Sequence, residues 1–273
     1  MKKIIYVIVN IIFIISFITF ISIIFILLRW NNDNENNKKQ IEEINDIVKI
    51  KEDKINNNSN IKNINPPTND VTSDYWYYIG MNFLNVNLTD LKEKNNDTVA
   101  WIKVNGTNIN YPIVKYSDND YYLKHSFKKE YTDAGWIFMD FRNDSNFNDK
   151  NTIIYGHSRL NKTMFGTLKN TITENWFNNI DNRIVKVSTN DYNYLYEVFS
   201  TYKIENENYY LKTKFSSDDD YKAFLNLLSS RSIFNYNVPL DENDKIITLS
   251  TCSSNNKKIV LHAKLIKTQK KDH

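Results

Sequence analysis

The segment from Ile4 to Leu28, IIYVIVNIIFIISFITFISIIFILL, sets the first constraint on the fold, because about 25 residues pass without a charged side chain. A helix needs about 20 apolar residues to cross a bilayer, so this stretch is expected to span a membrane and not to join a globular core. A cleaved signal peptide is the competing reading, but its apolar core runs to about 7–15 residues and closes on a small-residue site. Here Leu27, Leu28, Arg29 and Trp30 close the run. Lys2 and Lys3 favour a cytoplasmic N-terminus, although Arg29, Lys38 and Lys39 on the far side reduce the asymmetry. The expectation is a single-pass protein of the cell membrane with its body outside the cytoplasm.

In a chain of 273 residues the span leaves room for one domain of about 200 residues, large enough for a proper core. Residues 31–74 are dominated by Asn, Lys, Asp and Glu, carry Asn56, Asn57, Asn58 and Ser59 in a row, and close on Pro66-Pro67. That composition reads as a solvated stalk. Within it Ile41, Ile44, Val48 and Ile55 fall near a heptad spacing, which suggests a short amphipathic helix over about 39–55, free in solvent. The organisation is therefore a cytoplasmic tip with a membrane anchor over 1–30, a stalk over 31–74, and a folded domain over 75–273.

In that domain, short β-rich runs alternate with turn signals: VAWIKV (99–104), TNINYPIV (107–114), GWIFMD (135–140), NTIIYGH (151–157), RIVKVST (183–189), YLYEVFSTYKI (194–204), KIITLST (245–251) and KIVLHAKLI (258–266). Some eight strands at irregular spacing predict a mainly β fold, a barrel or a sandwich, with a few helices added. Ser217 before Asp218, Asp219 and Asp220 is a cap with an acidic first turn, and Tyr221, Phe224, Leu225 and Leu228 continue at helical spacing. Further helices are expected over Thr89–Lys94 and Thr163–Lys169.

Several chemistries are excluded early. Lys plus Arg number 35 against 32 Asp plus Glu, and the one local excess is the Lys267–Lys271 tail, which gives no nucleic-acid footprint. Five glycines leave no phosphate-cradling loop, and His125, His157, His262 and His273 show no metal-ligand spacing. No cofactor and no metal are expected. Cys252 is the single cysteine, so a body outside the cytoplasm holds a thiol with no intrachain partner. A buried thiol acting as a small hydrophobe is one explanation, and a nucleophile is the other.

The neighbours of Cys252 favour the nucleophile. KIITLSTC delivers the thiol to the end of a strand before the SSNNKK turn, and NTIIYGH delivers His157 to the end of another before SRLNKT. A strand end both exposes a group and holds it rigidly. A thiol of ordinary pKa is mostly protonated at neutral pH, so a nearby imidazolium or other cation is needed to supply thiolate. Tyr155 and His262, inside apolar strands, are assigned to packing.

TLSTC, with IIYGH about 95 positions earlier and a basic residue directly before the next strand, resembles the class B sortases, cysteine transpeptidases of Gram-positive bacteria. WIKVNGTNINYPIV, DNDYYLKHSF, NTIIYGHSRLNKTMFGTL and IVLHAKLI extend the resemblance over roughly Asp90 to Lys267. It implies an eight-stranded β-barrel with flanking helices behind an N-terminal membrane helix, with the folded domain as the catalytic domain. The implied reaction cleaves a C-terminal sorting motif of a surface protein after its Thr, through a thioester on Cys252. The acyl group then passes to an amine of the cell wall or of a lipid-linked peptidoglycan precursor. His157 is implied as acid and base. The family's third group is an Arg, and Lys258 stands at its position; a Lys carries charge without the planar fork, and Arg142 or Arg159 would have to compensate from a loop. Asn119, Leu123 and Ser250 match residues that line the family's substrate groove. Two other readings use the same residues: an extracytoplasmic cysteine protease or amidase, and a catalytically impaired binding protein.

Overall fold

A computed structural model describes residues 2–48, 51–53, 61–63, 74–205, 207–252 and 257–272. The Asn56–Ser59 run, Pro66-Pro67 and the turn 253–256 after Cys252 lie outside the described residues, and Cys252 itself is described by its main chain.

Eight strands form the body: β1 (Thr98–Val104), β2 (Asn110–Val114), β3 (Phe138–Met139), β4 (Asn151–His157), β5 (Ile184–Ser188), β6 (Tyr192–Glu205), β7 (Ile246–Cys252) and β8 (Lys257–Lys270). They pair in the order β7-β4-β3-β2-β1-β5-β6-β8, and β8 pairs back onto β7. The sheet closes on itself, which decides for the barrel over the sandwich and removes its open edges. β4/β7 and β2/β3 are parallel, and the other neighbours are antiparallel.

The strands at the heart of the barrel have sequences suited to burial on both faces. Residues 246–251 of β7 and 151–156 of β4 are all buried, which accounts for their unbroken runs of apolar and small hydroxyl residues. The hydroxyls are satisfied: Thr248 Oγ1 donates to Asn151 Oδ1 at 2.7 Å, and Thr251 Oγ1 accepts from the Ile259 amide at 2.9 Å. Trp101 and Trp136, both fully buried, donate their indole N–H groups to Asn110 Oδ1 and to the Pro112 carbonyl.

Helices flank the barrel. α1 (Lys2–Ile47) is followed by α2 (Tyr75–Ile79), α3 (Thr89–Lys94), α4 (Glu174–Phe177) and α5 (Asp218–Ser230). Ser217 caps α5 by accepting from the Asp220 amide at 3.1 Å, and Tyr221, Phe224, Leu225 and Leu228 are its buried face, as the sequence pattern predicts. The expected helix over Thr163–Lys169 is absent. A 3₁₀ helix covers Leu168–Ile172 instead, and the preceding loop folds back with Met164 in a left-handed conformation (φ 52°).

The segment after the apolar run also departs from expectation. α1 continues without a break through Ile47, so the membrane-length helix and the supposed amphipathic helix are one element, and residues 51–53 form a short strand. Residues 4–28 are exposed along their whole length, and α1 is long and apolar enough to cross a membrane. Farther along, Asn37, Gln40, Ile44 and Val48 are buried, a stripe at helical spacing seated on the barrel domain. This part of the stalk is docked and not solvated on every side.

Candidate active site

Register builds the site. β4 and β7 run parallel to the same rim, and their Cα partners step from Asn151↔Ile246 to His157↔Cys252, the last residue of each strand. Neighbouring strands lie about 4.8 Å apart, so the two positions face each other at close range. On the other side of β7 the antiparallel register with β8 pairs Ser250 with Val260. Lys258 is the second residue of β8, at the same end of the barrel as Cys252, and its Cα partner on β6 is Ile204. Cys252 thus has His157 in register on one neighbouring strand, and the other neighbouring strand begins with Lys257 and Lys258.

His157 is half-buried, and its Nε2 lies 2.7 Å from the Leu123 carbonyl. A carbonyl can only accept, so Nε2 carries a proton and Nδ1 is the nitrogen left to exchange one. Leu123 closes a 3₁₀ turn, Tyr121–Leu123, whose start is fixed by Asp118 Oδ1 accepting from the amides of Asp120 and Tyr121, each at 2.8 Å. Gly135 closes the other side. Its φ is +58°, and a Cβ there would stand 2.6 Å from the Tyr122 carbonyl oxygen and 2.9 Å from His157 Cδ2, so only glycine fits. Beyond His157 the chain turns back, with Ser158 bridging to Met164 and the Phe165 amide donating to the His157 carbonyl at 3.0 Å.

Lys258 is half-buried and donates from Nζ to Asn208 Oδ1 at 3.3 Å. Asn208 opens onto a groove of about 700 Å³, lined also by Arg142, Tyr209, Leu211, Lys212, Thr213 and Lys214, a size suited to part of a peptide. Ser250 lies behind this groove, 1% exposed, with its hydroxyl 2.9 Å from that of Tyr210 in the same loop. Asn119 is a link in a buried network. Its Oδ1 accepts from the Phe141 amide at 3.0 Å and its Nδ2 donates to Asp140 Oδ2 at 3.1 Å. Asp140 also takes the Arg142 fork, Nε at 2.8 Å and Nη2 at 2.7 Å, and the Tyr155 hydroxyl at 2.8 Å. Burial alone would raise the Asp140 carboxyl, but the Arg142 fork and the Tyr155 hydroxyl hold it below the usual carboxylate range.

The structure therefore brings Cys252, His157 and Lys258 to one rim, and sets Asn119 and Ser250 behind it. Leu123 meets the site through its main-chain carbonyl, while its partly buried side chain packs on the core. Neither Arg named as a substitute fork is unengaged: Arg142 is held by Asp140 and the Leu211 carbonyl, and Arg159 by Asn34. Tyr155 and His262 are structural residues, His262 being fully buried with both ring nitrogens bonded, to Thr248 and Tyr202. Sequence reasoning missed Gly135, Asn208, Tyr210 and the role of the Leu123 carbonyl. Of these only Gly135 left a trace, as one of five glycines in the chain.

Comparison with known proteins agrees with this geometry. The Sortase domain family matches residues 102–266, more than half of the chain. Sortase B of Listeria monocytogenes is 38% identical over 167 residues, covering 61% of this chain and 67% of that one. A Staphylococcus aureus sortase B–substrate complex superposes with a TM-score of 0.62 at 37% identity, covering 65% of this chain and 83% of that one. A sortase B complexed with triglycine superposes with the same score and identity, covering 65% and 84%. An eight-stranded barrel, a β7 cysteine in register with a β4 histidine, and this similarity point one way: the chain belongs to the sortase family, in its class B, and is a cysteine transpeptidase.

Proposed function

We propose that this transpeptidase cleaves a C-terminal sorting motif of surface proteins after its Thr and joins the Thr to a cell-wall amine. The observation that carries this reading is the β4/β7 register, Cys252 beside His157, with Lys258 on the opposite strand. In the first half-reaction the Cys252 thiolate attacks the Thr carbonyl carbon. The C–N bond breaks, His157 Nδ1 delivers a proton to the departing amine, and a thioester remains on Cys252. In the second half an incoming amine attacks the thioester carbon, His157 takes up its proton, and the thiolate departs. Lys258 supplies positive charge to the oxyanion in both halves. Asn208, Leu211 and Arg142 border the groove that would take the motif. The S. aureus relative solved as a substrate complex and the sortase B solved with triglycine support a peptide donor and an amino-terminal glycine as acceptor class.

In this reading α1 is a single-pass anchor and the barrel is extracytoplasmic. Arg29, the first residue past the apolar run, stands 3.8 Å from the Asp133 carboxylate in the loop before Gly135. The catalytic rim would then be turned toward the membrane, where a lipid-linked amine and a membrane-retained substrate both reside.

The test uses the full chain in detergent micelles with motif peptides of the N-P-x-T type, with and without triglycine. The expected result is a peptide adduct on the wild type by intact mass, absent in Cys252→Ala, with a ligated product that grows with triglycine. Peptide release indifferent to the amine would favour a hydrolase, and no adduct with any motif would overturn the enzymatic reading.

A further inference from the structure

The polar part of α1, residues 29–43, is bonded to the two loops that hold His157. Asn34 Oδ1 accepts from Arg159 Nη2 at 2.6 Å and from Asn161 Nδ2 at 2.9 Å, in the loop that leaves β4 directly after His157. Gln40 Nε2 donates to Glu130 Oε2 at 3.0 Å, Lys128 Nζ stands 2.6 Å from Glu43, and Arg29 stands 3.8 Å from Asp133. Glu130, Lys128 and Asp133 lie between Leu123, whose carbonyl fixes the imidazole, and Gly135, whose backbone packs against it. Asn37 and Gln40, 3% and 6% exposed, show that the helix is seated on these loops and not merely near them.

We propose that residues 29–43 of α1 form a positioning clamp for His157, so that the body works at full rate only when seated on its anchor helix. The proposal rests on His157 being the proton carrier. The clamp touches neither substrate nor the reacting atoms; it restrains the segment from Leu123 to Gly135 and the loop 158–164 at once. A misplacement of about 1 Å at a catalytic group can cost about 10²-fold in rate, so slack in these loops would be read in turnover. Because the contacts are ion pairs and side-chain amide hydrogen bonds at a partly exposed surface, the clamp is reversible and its ion pairs are weakened by salt. The same helix would thereby link anchoring in the membrane to catalytic competence, with no change in the groove that binds the motif.

The experiment measures steady-state cleavage and transfer by the full chain in micelles. Asn34→Ala removes the acceptor shared by Arg159 and Asn161, and is expected to lower kcat about tenfold while KM stays within about twofold. Asn34→Asp keeps an acceptor for Arg159 and restores most of the rate. Glu43→Lys and Lys128→Glu each lower kcat, and the double exchange recovers it. Unchanged kcat in all single variants, alongside a His157→Ala that is inactive, would overturn the clamp and leave the reading of the site intact. A fall in kcat that Asn34→Asp and the double exchange fail to rescue would also overturn it, marking a plain tether. Turnover retained by His157→Ala would remove the reading of the site, and the clamp with it.

Discussion

β7 has a histidine on each of its neighbouring strands, and the two could hardly be used more differently. His157 ends β4, in register with Cys252, half-buried, with Nε2 committed to the Leu123 carbonyl and Nδ1 without a partner among the described residues. His262 lies within β8, in register with Thr248, and is fully buried. Thr248 already donates its hydroxyl hydrogen to Asn151, so it accepts from His262 Nδ1–H at 2.8 Å, and Nε2 in turn accepts from the Tyr202 hydroxyl at 2.8 Å. Four positions along one strand separate the histidine proposed as proton carrier from one whose ring nitrogens are both engaged. On the proposed reading, chemistry in this barrel is assigned by depth along β7, and residue type comes second.

The largest effect tests that assignment directly. His157→Ala is expected to lower turnover about 10²–10⁴-fold, the usual worth of a general acid and base, while His262→Gln leaves kcat/KM per folded molecule within about twofold. Peptide-cleavage kinetics, normalised to active sites by intact-mass adduct formation, make the comparison. A His262→Gln enzyme as dead as His157→Ala would break it.

The second effect is on stability and has a definite sign. Burial pushes the His262 imidazole down to about 3 from an ordinary value of 6.5. Between those values the unfolded chain holds a proton there that the folded chain refuses, so protonation favours unfolding. Stability is therefore expected to fall as pH drops below about 6.5, with a slope approaching about 1.4 kcal/mol per pH unit from this one group, and to level off near pH 3. Urea unfolding at a series of pH values should show the slope in the wild type and its loss in His262→Gln. An unchanged slope in the variant would mean that His262 does not govern the acid limb.

The same comparison explains what was legible in the sequence. Strands buried on both faces announce themselves, and NTIIYGH was readable to the residue because its apolar run and its terminal His lie next to each other in the chain. The cap and face of α5 were equally local. What escaped was non-local or carried by the main chain. The Leu123 carbonyl has no side-chain signature, and the need for glycine at position 135 comes from a left-handed backbone pressed against the Tyr122 and Leu123 carbonyls and against His157, 22 residues later. Met164, Phe165 and Leu168 imitate a helical face, but they are buried because a loop folds onto the barrel. Residues 34–44 look like solvated stalk because the surface that receives them is itself charged and amide-rich.

The smallest effect concerns the other flank of Cys252. Lys258 stands near the start of β8, the strand on the other side of β7 from His157, and brings a point charge on a flexible stem, held by Asn208 at 3.3 Å. An ammonium in that position stabilises a developing oxyanion without fixing its direction, whereas a guanidinium offers two parallel donors. If position along β7 is what assigns chemistry, Lys258→Arg should keep the role and improve its geometry, raising the acylation rate up to about tenfold with the motif peptide, a gain of about 1.4 kcal/mol in the transition state. Single-turnover formation of the Cys252 adduct reads this step apart from transfer. A slower acylation in Lys258→Arg would show that Asn208 and the groove are fitted to the lysine, and that the two flanks of the nucleophile follow different rules.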